Sequence, residues 1–154
     1  MAFSPNGALL ALGNNDTIYL WNVAAKRMAA TLSDPNYYPI SSVAFSPDGS
    51  TLAVGTSGSN TYLLNVATDS WIGTLTDPAG DGPGPVVFSP NGALPAVGDQ
   101  DGSTYLWNVA TQSLATTLTV GPRPADSVAF GPHGATLAVG EGSGSTYLWN
   151  TSRY

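Results

Sequence analysis

No cysteine occurs among the 154 residues, and His133 is the only histidine. Disulfides, thiolate zinc sites and thiol catalysis are therefore excluded, and cysteine usage leaves the redox compartment open. Charge is scarce too: charged residues make up 9% of the chain, four of them basic, and the formal net charge is −6. Lys26, Arg27, Arg123 and Arg153 cannot line a groove for a phosphate backbone or form a polybasic membrane patch. Neither nucleic acid nor a membrane is an expected partner. No apolar run approaches the roughly 20 residues of a membrane span, and the opening Met1-Ala-Phe-Ser-Pro5 lacks the basic and apolar regions of a secretion signal. The chain reads as soluble, with its compartment left open.

Low charge accompanies disorder only where apolar residues are also few, and here they amount to 42%. They are arranged in a repeat. Val43 to Asn65, VAFSPDGSTLAVGTSGSNTYLLN, alternates short apolar runs with a Ser-Pro-Asp-Gly turn and a Gly/Ser loop, the pattern of three strands joined by two turns. Phe3, Phe45, Phe88 and Phe130 recur 42, 43 and 42 residues apart, and Tyr19, Tyr62, Tyr105 and Tyr147 keep step. A fixed period of this length marks a repeat architecture, in which no unit buries its own faces and neighbours must stack.

The expected organisation is a single repeat array over 1–154, with units at 1–32, 42–75, 86–119 and 127–154. Each is expected to form a four-stranded antiparallel sheet, except that the last stops before its fourth strand. Pro95 stands where the second repeat has Leu52, and a proline cannot donate to a ladder, so a local defect or bulge is expected there. The links around Tyr37, Asp81 and Arg123 are Pro/Gly-rich and differ most between repeats, as surface loops do.

Units of about 43 residues, each carrying Phe-Ser-Pro-Asx-Gly, then Leu-Ala-Val-Gly, then Tyr-Leu-Trp-Asn, resemble the WD-repeat family of β-propellers. The likeness covers essentially the whole chain, and its Gly-Ser-Thr-Tyr-Leu-Trp-Asn dialect is similar to bacterial members. The family's Trp-Asp appears as Trp21-Asn22, Leu64-Asn65, Trp107-Asn108 and Trp149-Asn150, and its Gly-His pair is absent. The resemblance implies radial blades whose first strands line a channel, with Trp21, Trp107 and Trp149 in core or inter-blade packing. Such rings usually close with seven or eight blades. Four blades leave two faces uncovered, and a homodimer closing an eight-bladed ring is therefore expected; the rival readings are a piece of a longer propeller and four blades that close alone.

The resemblance further implies a non-catalytic scaffold that binds a protein or peptide through rim loops and the channel mouth; the alternative is a structural or self-assembling module, or a fragment of a larger propeller or sensor protein, with no ligand of its own. Candidate partner-binding residues in those loops are Tyr37, Tyr38, Asp81, Asp99, Asp101, Arg123 and Glu141, the aromatics and Arg offering anchors. No cofactor, catalytic set or metal site is expected. His133 aligns with Asn6, Asp48 and Asn91 and reads as a turn residue. Asp99-Gln-Asp101-Gly102 opens like a calcium loop but lacks the later ligands, so turn chemistry is the better reading.

Overall fold

The Ser-Pro-Asx-Gly turn ends each first strand by satisfying its own polar groups. In the second repeat Ser46 Oγ donates to Asp48 Oδ1 (2.6 Å), the Ser50 N–H donates to the same oxygen (3.0 Å), and the Thr51 N–H donates back to Ser46 Oγ (3.0 Å). Gly49 completes the reversal at a φ of +74°, which a residue without Cβ adopts freely. Asn6 and Asn91 make the matching bonds in the first and third repeats. Gly131 and His133 replace the Ser and Asx in the fourth, where the turn is held by the Gly134 N–H donating to the Gly131 carbonyl (2.9 Å).

The computed structural model describes residues 1–119 and 121–154; Val120, within the link expected between the third and fourth repeats, lies outside them. The described residues form fifteen strands in four antiparallel sheets. The first holds β1 (Ala2–Phe3), β2 (Leu9–Asn14), β3 (Thr17–Asn22) and β4 (Arg27–Ser33). The second holds β5 (Ile40–Phe45), β6 (Thr51–Thr56), β7 (Asn60–Asn65) and β8 (Ser70–Thr76). The third holds β9 (Pro83–Phe88), β10 (Pro95–Asp99), β11 (Ser103–Asn108) and β12 (Ser113–Thr119). The last has three strands, β13 (Ala125–Phe130), β14 (Thr136–Glu141) and β15 (Thr146–Asn150), so β15 is an open edge. Strand order follows chain order in every sheet. Among the described residues no helix is long and apolar enough to cross a membrane.

The two faces of each sheet differ, and the difference repeats. One is small and aliphatic, as in Ala44, Ala53, Leu63 and Leu75; the other is bulkier, as in Val86, Phe88, Val97, Tyr105 and Trp107. The small face of the second sheet packs on the bulky face of the third. Ala11, Ile18 and Leu20 of the first sheet meet Val43, Leu52, Val54 and Leu64 of the second in the same way, and Ala96 and Leu106 meet Leu137 and Val139. Interdigitation of large with small side chains fills each of the three seams.

Two faces have no neighbour. The bulky face of the first sheet leaves Phe3 62% exposed, with Trp21 half-buried, and the small face of the last leaves Leu148 73% exposed. Among the described residues Trp107 and Trp149 pack in or against the seams, whereas the face that carries Trp21 is covered by no other described sheet. Both faces are covered only in the middle of the array: β11 is buried from Ser103 to Trp107, whereas β15 alternates exposed with half-buried residues.

Pro95 does interrupt its ladder. Leu52 pairs with Leu64 in the second sheet, but the β10–β11 ladder begins only at Ala96 with Leu106, since Pro95 has no N–H to give. The register shift between Val97 and Asp99 is a separate matter; it recurs at Ile40/Ser42 and Ala125/Ser127 and belongs to the repeat.

Candidate partner-binding rim

Up-and-down strand order sends alternate connections to opposite rims. The turns between second and third strands therefore meet the links between sheets, and they hydrogen-bond there. The Ser57 N–H donates to the Pro39 carbonyl (2.8 Å), the Gly142 N–H to the Pro124 carbonyl (3.2 Å), and Ser59 Oγ to the Gly80 carbonyl (2.7 Å). Gly102 sits at a φ of +87° in close approach to the carbonyls of Gly121 and Arg123, where no Cβ fits.

Charge is divided unequally between the rims. Asp16, Asp34, Asp77, Asp81, Asp99, Asp101, Asp126 and Glu141 all fall on the rim of these links, eight of the ten carboxylates in the chain, with Arg123 as its one cation. Asp48, Asp69, Lys26, Arg27 and Arg153 are on the other. Several of the acids brace the loops. Asp77 accepts from the Ala79 N–H (2.9 Å) and the Gly82 N–H (3.2 Å), and Asp101 accepts from the Ser103 N–H (2.6 Å) and the Tyr105 hydroxyl (3.2 Å). Burial, with smaller contributions from nearby carboxylates, pushes the Tyr105 hydroxyl up to about 12.

Asp99 is 1% exposed. Its Oδ1 accepts from the N–H groups of Gln100 and Asp101, and Oδ2 is buried with no partner. Desolvation, followed by the nearby carboxyl group of Asp77, raises its carboxyl to about 7. Asp34 Oδ1 and Glu141 Oε1 are likewise buried and unpartnered. Beside Asp99 lies a cleft of about 500 Å³ between the first strands of three sheets, lined by Ser41, Ser42, Pro85, Gln100, Pro124 and Asp126 among others. Among the described residues no group of three or more His, Asp or Glu side chains is placed to hold a metal ion.

A family model described as the anaphase-promoting complex subunit 4 WD40 domain matches residues 1–80, just over half of the 154. The chain belongs to the WD40 family. No curated protein matches it. The matched span takes in β1 to β8, and the same spacing of Phe, Gly, Tyr and Asn continues through the second half of this WD40 chain.

All seven residues singled out from the sequence lie on the acidic rim, in different states. Tyr37 (74% exposed, φ +61°), Asp81 and Arg123 are exposed, and Asp101 is half-buried. The ring of Tyr38, 45% exposed, lies against Gly58 and covers the neighbouring turn. Asp99 and Glu141 are buried, so they shape the rim from beneath. The carboxylates of Asp99 and Asp101 accept from the N–H groups of their own turn. His133 is exposed in a turn on the opposite rim.

Asp34 and Asp77 recur before a proline in the first two links, but neither they nor Asp16 and Asp126 are marked as rim residues by a motif. The signal that finds them is turn parity: in an up-and-down repeat every acid in the second-to-third turns or in the links must share a rim.

Proposed function

We propose that this WD40 chain is a non-catalytic scaffold whose acidic rim docks a protein segment bearing Lys or Arg, on an eight-bladed ring completed by a second copy. The observation that carries the docking half is the charge division, with eight carboxylates on one rim of a chain that has only ten. Such a field steers a cationic partner and selects against anionic ones. Tyr37 offers an exposed aromatic anchor beside it, and Arg123 a contact for a carboxylate on the partner. WD40 repeats generally serve as protein-interaction scaffolds, which supports the same reading.

The ring is supported by the match between the two uncovered faces. Phe3, Leu10, Leu12, Tyr19 and Trp21 stand at the repeat positions of Phe88, Pro95, Val97, Tyr105 and Trp107; Ala129, Ala138 and Leu148 stand at those of Ala44, Ala53 and Leu63. The free faces are thus the two halves of the seam already packed between the second and third sheets. Two copies related by a two-fold axis would form that seam twice.

A lysine-rich decapeptide tests the docking half. Neutralising the rim with Asp81→Asn and Asp126→Asn should weaken its binding about tenfold at low salt, whereas Asp48→Asn with Asp69→Asn should change it less than twofold. Equal losses from the two pairs would reject a rim-specific site. Alanine at Tyr37, Tyr38 and Arg123 separates docking from assembly: loss of the oligomer would favour the self-assembling alternative.

A further inference from the structure

Two of the four turns between first and second strands place asparagine before glycine, Asn6-Gly7 and Asn91-Gly92, and no other asparagine in the chain precedes a glycine. Both side chains are pinned in the same way. Asn91 Oδ1 accepts from Ser89 Oγ (2.6 Å) and the Ala93 N–H (3.0 Å), and Asn6 Oδ1 accepts from Ser4 Oγ (2.8 Å) and the Ala8 N–H (3.0 Å). A backbone N–H can only donate, so the atom it meets is the amide oxygen and Nδ2 is the other group. Among the described residues that nitrogen has no hydrogen-bond partner in either turn, and both asparagines are exposed.

Such pinning prepares the amide carbon for attack. Two donors on Oδ1 draw electrons from Cγ and stand where negative charge collects once a nucleophile adds, as the donors of an oxyanion hole do. The backbone nitrogen of the next residue is the nearest nucleophile along the chain, and a glycine there leaves its approach unhindered. Asn22 and Asn108 also accept turn N–H groups, from Ala25 (2.8 Å) and Thr111 (3.0 Å), but Val23 and Val109 follow them and their branched Cβ crowds the nitrogen. The second repeat shows that the turn accommodates an acid. Asp48 occupies the same place and takes the matching donors, and bonds from Ser46 and Ser50 hold its carboxyl below the usual carboxylate range.

We propose that Asn91-Gly92 and Asn6-Gly7 are self-modifying sites, at which the turn converts asparagine to an acid without an enzyme. The Gly92 nitrogen bonds to Asn91 Cγ and gives up its proton, the Cγ–Nδ2 bond breaks, and ammonia leaves behind a cyclic imide. Water then opens the imide at either carbonyl, to aspartate or to its β-linked isomer. In the closed turn the Gly92 N–H donates to the Ser89 carbonyl (2.8 Å), as the Gly7 N–H does to that of Ser4 (2.8 Å), so each event waits for one turn bond to open. Both turns lie on the rim that carries Asp48, Asp69, Lys26, Arg27 and Arg153, and two conversions raise its carboxylates from two to four against the three Lys and Arg side chains. The charge contrast with the opposite rim narrows as the chain ages. Asn91 and Asp48 also line one cleft of about 640 Å³ between the second and third sheets, which gains a second carboxylate.

The test is a timed incubation of the intact chain in warm, mildly alkaline buffer, with peptide mapping by mass spectrometry to read the exchange of NH2 for OH at each asparagine. Acid is expected to accumulate at Asn91 and Asn6, with Asn22 and Asn108 unchanged. Ser89→Ala removes one donor from Oδ1 and should slow conversion at Asn91 about threefold or more while Asn6 keeps its wild-type rate. The fourth repeat forms its turn with Gly131 in that place, so the hydroxyl is not required for folding. No acid at Asn91 or Asn6 of the folded chain once the urea-unfolded chain has converted both, equal conversion at Asn108, or an unchanged or faster rate at Asn91 in Ser89→Ala would each overturn the proposal.

Discussion

Asp99 is the residue whose environment departs furthest from what its sequence position suggests. In the unfolded chain its carboxyl ionises near 3.8, and in the folded chain burial and Asp77 hold the proton to about pH 7. The folded state therefore binds more protons between these values, and this group's contribution to stability falls as pH rises through that window and levels off above it. Asp99→Asn keeps the shape of the neutral form. Its melting temperature is expected to match wild type near pH 4 and to exceed it at pH 8, by circular dichroism; parallel curves for the two proteins would contradict this. Gly102→Ala should act in the opposite sense, costing about 2 kcal/mol or more in urea unfolding, because φ is +87° and the carbonyls of Gly121 and Arg123 occupy the space of a Cβ. Neither effect was legible in the sequence. Asp99-Gln-Asp101-Gly102 announces a turn, but the influence of Asp77 comes from the link that precedes the sheet, and local patterning carries no information about that.

At the scale of elements the repeat made most of the fold readable, because turn chemistry, strand alternation and spacing all agree on the same units. The three strands of the last sheet and the defect at Pro95 follow from aligning the units. What alignment hides is position in the array. Leu63 and Leu148 are equivalent by repeat, yet Leu63 is 0% exposed in the seam against the third sheet and Leu148 is 73% exposed. Leu63→Ala should cost about 2–5 kcal/mol of unfolding free energy. Leu148→Ala should change it by less than about 0.5 kcal/mol in dilute solution, where no partner covers the last sheet. Equal costs at the two positions would mean that Leu148 is already packed within one chain. The same positional effect places Trp21 in an open face while Trp107 is enclosed.

For the whole molecule, the proposed two-copy ring is supported by three seams built on one rule and two free faces that are the separate halves of that rule. Faces of this kind, holding Phe3 and Leu148 against water, are an incentive to associate. In that proposed ring the acidic rim would appear twice, and a cationic partner with two binding segments would gain from both. A substitution such as Leu148→Asp should break the proposed seam and leave single chains, read from sedimentation. The most direct measurement is the mass of the unmodified chain by analytical ultracentrifugation at micromolar concentration. The account predicts one species at about twice the chain mass of 15.7 kDa; a species at 15.7 kDa, or a ladder of larger assemblies, would contradict it.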